Sequence, residues 1–211
     1  MEKYIKSITA LNQATLNNQN TDDIERCAES DIFWAQTKNK PLLNRIIKKG
    51  NIYQFEFGKN YVPEMSYEHR GLVIGISGKL LYVLPICSYN ASKKEHKDAY
   101  HPVDNPNTKS NYYLLKQIDC PFLTHDSVLK LNDIRTVSTA RIKYKQDNGY
   151  LDPDSLTYKE IEKIVFSKYF YGYSYHYNRL IEENQKLNEE IAKLNTLISE
   201  LQEKVSSMKN D

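Results

Sequence analysis

Apolar positions along the chain follow three successive periods. Residues 3–17 space Tyr4, Ile5, Ile8, Leu11 and Leu16 at helical intervals, and the polar stretch Asn17–Asn20 interrupts the pattern. Thr21 or Asp22 can cap a second helix, whose apolar face comprises Ile24, Cys27, Ala28, Ile32 and Ala35. These two amphipathic helices precede Pro41, and three uses stay open for them: packing on the following domain, joining a partner, or covering a functional rim as a lid.

From residue 50 the period changes to two. Tyr53, Phe55 and Phe57 alternate with Gln54 and Glu56, as in a half-buried strand over Ile52–Phe57, and Gly58–Tyr67 reads as a loop. Leu72–Ile76 and Leu80–Ile86 are apolar runs separated by the turn signal Ser77-Gly78, which predicts a hairpin. The polar run Tyr89–Asn111 has no sustained period and predicts a long loop, a feature more often functional or mobile than idle. Tyr112–Ile118 and Ile134–Ser138 read as further strands. Short strands in this order, with one long loop, suit a small antiparallel barrel. Asp152-Pro153 then reads as a cap with a first-turn proline, opening a helix that carries Leu156, Ile161, Ile164 and Val165.

After the aromatic stretch Phe166–Tyr177 the period becomes seven. Leu180, Leu187, Leu194, Leu201 and Met208 form one series, and Asn184, Ile191, Ile198 and Val205 form a second, offset by four. Leucine at d with β-branched residues at a favours a two-stranded parallel coiled coil, and Asn184 at an a position would fix its register. The competing use is a helix lying on the protein's own surface, for which the chain offers no equally long apolar partner. Leu197 at g and Asn188 and Asn195 at e leave little ionic partner selection. A homodimer is the simplest reading, and pairing with a helix of another protein stays open. The expected organisation is a helical segment over 1–45, a barrel domain with a closing helix over 46–170, and a coiled coil over 175–211.

Composition changes this picture little. The 29 basic and 27 acidic residues divide as 8 and 6 over 1–49, 13 and 10 over 50–149, and 8 and 11 over 150–211. A mildly basic middle permits an anionic partner without requiring one. Cys27, Cys87 and Cys120 are too few and too scattered for a disulfide framework or a zinc cluster, so reduced thiols in a cytoplasmic setting are expected. No apolar run approaches the roughly 20 residues of a membrane span, and the first residues lack the apolar core of a secretory signal. The 17 tyrosines suit strand packing or base stacking.

Candidate chemistry gathers at the two ends of the hairpin. Glu64, His69 and Arg70 precede its first strand and Cys87 and Ser88 follow its second, so antiparallel pairing brings them to one rim. Arg70 can engage two phosphate oxygens while remaining charged, and its competing reading is a surface ion pair with Glu64 or Glu68. His69 can exchange protons near neutrality, although a lone histidine is usually solvated or packed. Lys93, Lys94, His96 and Lys97 in the polar loop are placed to meet phosphates, or are solvated charge. His96, Asp98 and His101 lack the helical frame or second ligand pair of a metal site, so no metal or cofactor is expected.

These stretches resemble the MazF/PemK toxin endoribonucleases. The matching positions are Gly50, Phe57, Glu64, His69-Arg70-Gly71-Leu72-Val73-Ile74 and Pro85-Ile86-Cys87-Ser88. A second block follows in Ser127-Val128-Leu129, Asp133-Ile134-Arg135-Thr136-Val137 and Arg141-Ile142, so the resemblance covers about residues 50–145. It implies an SH3-like barrel and metal-independent cleavage of single-stranded RNA. The 2′-hydroxyl would attack the adjacent phosphorus, giving 2′,3′-cyclic phosphate and 5′-hydroxyl ends, and a small antitoxin protein would occupy the RNA groove. Arg70 aligns with the family's catalytic arginine, Glu64 with a loop glutamate after a one-residue shift, and Asp133 with a glutamine near bound RNA. Cys87 stands where the family has a threonine whose hydroxyl donates to the scissile phosphate. Either Ser88 supplies that hydroxyl, or activity is altered, or Cys87 is a small buried apolar residue. A Cys87-His nucleophile lacks a third orienting residue. The reading from a different class is a non-catalytic barrel that binds protein or RNA and is assembled by its coiled coil.

Overall fold

A computed structural model describes residues 1–18, 20–40 and 47–208. Pro41 and the 45/46 boundary lie outside the described residues. The chain forms two compact units, Met1–Ile164 and a second beginning at Val165.

In the first unit α1 (Glu2–Asn18) and α2 (Thr21–Thr37) precede the strands. The cap of α2 is Asn20, one residue earlier than the sequence reading, and its side chain accepts from the Asp23 N–H at 2.9 Å. Cys27 and Ser30 of α2 are buried, and Ser30 bonds Glu56 at 3.0 Å, so this helix packs on the sheet. Tyr4, Ile5, Leu11 and Leu16 of α1 are exposed.

Seven antiparallel strands form one sheet: β1 (Asn51–Glu56), β2 (Glu68–Ser77), β3 (Leu80–Ser88), β4 (Tyr112–Leu115), β5 (Ser127–Lys130), β6 (Arg135–Ser138) and β7 (Ile142–Tyr150). Their order is β4-β5-β3-β2-β1-β7, with β6 also on β3. The long strand β3 is the organiser: β2 lies along one edge, while β6 pairs with Leu80–Val83 and β5 with Ile86–Ser88 on the other. Among the described residues no ladder joins the two ends of this order, so the sheet is not closed into a ring by hydrogen bonds.

The β2–β3 turn is Gly78-Lys79, since Ser77 already pairs with Leu80. Gly78 has φ +60, which the first position of such a two-residue loop requires. Ile74 is an extra residue between the Val73–Val83 and Gly75–Tyr82 pairs. Tyr53, Phe55 and Phe57 join Val73, Leu81, Val83, Val137 and Ile142 in one core, and β1 is buried on both faces rather than half-buried, with only Gln54 partly open. On the opposite face Ile52, Leu72, Leu84, Ile86 and Leu129 are also buried. There Tyr113 bonds Glu160 at 3.1 Å, and Tyr158 donates to the Ile74 carbonyl at 3.4 Å, which fixes α4 (Leu156–Tyr169). Ser155 caps α4, accepting from the Tyr158 N–H at 3.2 Å, and Pro153 lies in the preceding turn rather than inside the helix.

Two strands escaped the sequence reading. β5 is only four residues, all buried. β7 is mostly polar because it is an end strand, and lysines blunt such an edge. The Tyr89–Asn111 loop contains a single helical turn, α3 (Lys94–Lys97), folded around buried His96.

The second unit carries α5 (Tyr171–Met208), a continuous helix of 38 residues. At 1.5 Å per residue it is about 57 Å long. Leu187, Ile191, Leu194, Ile198, Leu201 and Val205 are each at least 50% exposed, so its heptad seam is uncovered in the single chain. No helix among the described residues is long and apolar enough to cross a membrane.

Candidate functional site

Pairing along the hairpin is regular near the rim, with Arg70 opposite Ile86 and Gly71 opposite Pro85. On the other edge of β3, Ile86 faces Leu129, Cys87 faces Val128 and Ser88 faces Ser127. Directly opposed residues share a face and neighbours alternate. Arg70, Ser88 and Ser127 therefore stand on one face of the sheet, and His69 and Cys87 on the other. Hairpin spacing brings His69, Arg70, Cys87 and Ser88 to one rim; only the register shows that the sheet divides them.

On the first face Arg70 Nη2 donates to Ser127 Oγ at 3.1 Å, so the guanidinium reaches the residue directly across from Ser88. The anticipated ion pairs are otherwise engaged: Glu68 binds Lys143, and Glu64 lies 3.8 Å from Arg135. Burial draws the Arg70 pKa down from its usual value, opposed by Cys87 and Tyr144. Ser88 Oγ is 2.8 Å from His125 Nε2, and His125 Nδ1 is 2.9 Å from Thr124 Oγ1. Ser127 Oγ donates to the His125 carbonyl at 3.2 Å, tying both arms of the rim together. His125 was missed by the sequence reading; its signal was the hydroxyl-rich Thr124-His125-Asp126-Ser127 run entering β5.

The second face is drier. Burial, reinforced by the Arg26 charge of α2, holds His69 below the usual imidazole range, with Glu68 opposing. Thus α2 both packs on the sheet and borders the rim. Burial pushes the Cys87 thiol up, against the pull of Lys93, Lys130 and Arg70, and so favours its protonated form. His96 is 3% exposed: its Nδ1 accepts from the Asn90 N–H at 3.0 Å, and its Nε2 is 4.0 Å from Cys87 Sγ. Its ring also packs 5.2 Å from that of Tyr112. The geometry makes His96 a pillar of the loop rather than an outward contact. An open pocket of about 490 Å³ wraps the strand end, lined by His69, Cys87, Ser88, Asn90, Lys93 and His96. Lys93 is at the pocket, while Lys94 is exposed in the first turn of α3.

Asp133 and Glu64 belong to a neighbouring cluster. Asp133 accepts from Arg135 Nε at 2.8 Å and Nη2 at 3.0 Å, and from the Met65 N–H at 2.8 Å. It is 8% exposed, so its hydrogen bonds hold the 58–67 loop against β6. Glu64 is half-exposed beside Arg135 and is not brought to Arg70. His101 lies 2.9 Å from Asp104. Among the described residues no group of three or more His, Cys, Asp or Glu side chains is arranged to hold a metal ion.

No protein-family model matches the chain, and a search of curated proteins finds no match.

Proposed function

We propose that the protein is a metal-independent endoribonuclease of the MazF/PemK type acting on single-stranded RNA. The observation that carries this reading is the hydrogen-bonded rim Arg70–Ser127–His125–Ser88, a fixed cation and two hydroxyls gathered at the end of the hairpin. Cleavage by 2′-hydroxyl attack needs charge stabilisation at phosphorus and a path for one proton. Arg70 supplies the charge, with five N–H donors on a guanidinium that stays ionised. Ser88 supplies the hydroxyl that the family pattern places at Cys87. The protonated Cys87 thiol is then packing, not a nucleophile. On this reading the unclosed seven-stranded sheet is an open form of the family's SH3-like barrel, and an antitoxin protein would cover the rim.

On this reading the working unit is a homodimer, supported by the heptad seam of α5 that is exposed in the single chain. Asn184 at an a position meets its own copy in an in-register parallel pair, whereas antiparallel pairing would set it against leucine. Cys87 at the threonine position favours a second reading, a binding barrel without catalysis. The deciding experiment incubates the purified protein and its Arg70→Ala variant with mixed-sequence single-stranded RNA in EDTA and maps the product ends. Cuts bearing cyclic phosphate, lost in the variant, are expected. RNA left intact by folded, dimeric protein would overturn the nuclease reading in favour of the binding barrel.

A further inference from the structure

The Arg70 side of the rim carries a proton path that the sequence resemblance does not contain. Ser88 Oγ sits 2.8 Å from His125 Nε2, while Thr124 Oγ1 sits 2.9 Å from Nδ1 of the same ring. A hydroxyl can donate to or accept from an imidazole nitrogen. When Thr124 accepts from Nδ1–H, Nε2 is left as the acceptor of the Ser88 proton. The backbone carbonyl of His125 is held by Ser127, which also receives Arg70, so the imidazole is tied to the cation that would bind phosphate.

We propose that His125 is the proton acceptor of the reaction, working through Ser88; the inference rests on the nuclease reading above. Ser88 Oγ takes the 2′-hydroxyl proton as its own passes to His125 Nε2. The O2′–P bond forms, the P–O5′ bond breaks, and the departing O5′, on the far side of phosphorus from the attacking oxygen, takes its proton from solvent. The imidazolium then releases its proton to solvent, so no net proton is consumed and the imidazole regains its starting state. Ser88 touches the reacting atom and His125 is the positioning and proton-holding residue behind it.

The charged group tied into this network is Arg70, and the adjacent Asp126 is turned to the Gln117 N–H at 2.9 Å. His69 lies on the other face and serves as the control. The test measures cleavage against pH and RNA affinity for the wild type, His125→Ala, His125→Gln, Ser88→Ala and His69→Gln, with thermal melts to verify folding. Expected are losses of at least about 100-fold in cleavage for both His125 variants and Ser88→Ala, within the range of general acid–base contributions. RNA affinity should change less than about threefold, the acid limb of the rate–pH profile should vanish with His125, and added imidazole should restore part of the His125→Ala rate. His69→Gln should keep the acid limb. A wild type that cleaves alongside His125 variants of equal rate, or of reduced rate with the acid limb unmoved, would overturn the inference and leave the nuclease reading standing. A wild type that leaves RNA intact would overturn both.

Discussion

Asp133 separates a structural account of the 58–67 loop from an RNA-contact account. Its carboxylate, 9% exposed as a side chain, accepts from Arg135 at 2.8 Å and is the counter-ion of Lys130 at 3.7 Å, and those two side chains are only 12% and 8% exposed. It also holds the Met65 N–H at 2.8 Å. In Asp133→Ala the two cations keep weaker partners: Lys130 retains the Pro63 carbonyl, and Arg135 retains Glu64 at 3.8 Å and the Phe57 ring at 5.3 Å. Removing one member of a buried ion pair costs about 3–5 kcal/mol. The orphaned N–H would add about 1–3 kcal/mol if it stayed dry. These do not sum, because the loop can loosen and admit water, so about 4 kcal/mol is expected. For a chain of this size that corresponds to a drop of about 8–16 °C in Tm. Urea and thermal unfolding followed by circular dichroism measure it, and Arg135→Met in the same background should recover about 2 kcal/mol by removing the stranded cation. A variant within about 1 kcal/mol of wild type whose RNA affinity falls at least tenfold would refute this account. It would place Asp133 at the RNA surface, as the sequence resemblance has it.

Three further outcomes are expected. His69 and His96 are held below the usual imidazole value of about 6.5 chiefly by burial. Between the folded and unfolded values the unfolded chain carries the extra proton, so stability is intact above about pH 6.5 and falls as the pH is lowered through the folded values. Denaturant titrations from pH 7.5 to 5 should show that fall, and a smaller one in His69→Gln. Gly50 has φ +83, and an added Cβ would lie 2.1 Å from the Leu151 carbonyl oxygen; Gly50→Ala should cost at least about 3 kcal/mol, read by the same unfolding assay. On the proposed pairing of α5, the wild type should sediment as a dimer and Ile191→Asp as a monomer, and Asn184→Leu should strengthen association while admitting higher oligomers.

The hairpin, the aromatic strand before it and the long C-terminal helix were legible because each rests on a local period. The turn was read one residue early, since Ser77-Gly78 and Gly78-Lys79 are both plausible two-residue loops until the Ser77–Leu80 pair selects between them. β7 was not legible: Ile142–Tyr150 is largely polar and gains its place by pairing with β1, a contact between distant parts of the chain. The candidate site was half legible. Arg70 and Ser88 were identified by residue type and position, but His125 reaches Ser88 only because β5 lies beside β3, and nothing local announces that pairing. His96 and Asp133 look like RNA contacts in the sequence, but a local bond to Asn90 and packing on Tyr112 bury His96, and the long-range bond from Met65 buries Asp133.

The alternation of side chains at the end of β3 limits how this rim could be remodelled. A point substitution at residue 87 changes the chemistry offered beside His69, and cannot carry a hydroxyl to the side where Arg70 meets Ser127. A one-residue insertion or deletion in β3 ahead of Cys87 would do so, because it moves every later side chain to the opposite surface. For anyone grafting a family-like threonine onto this scaffold, strand length is the variable to alter, and swapping Cys87 in place would fill the wrong side of the sheet.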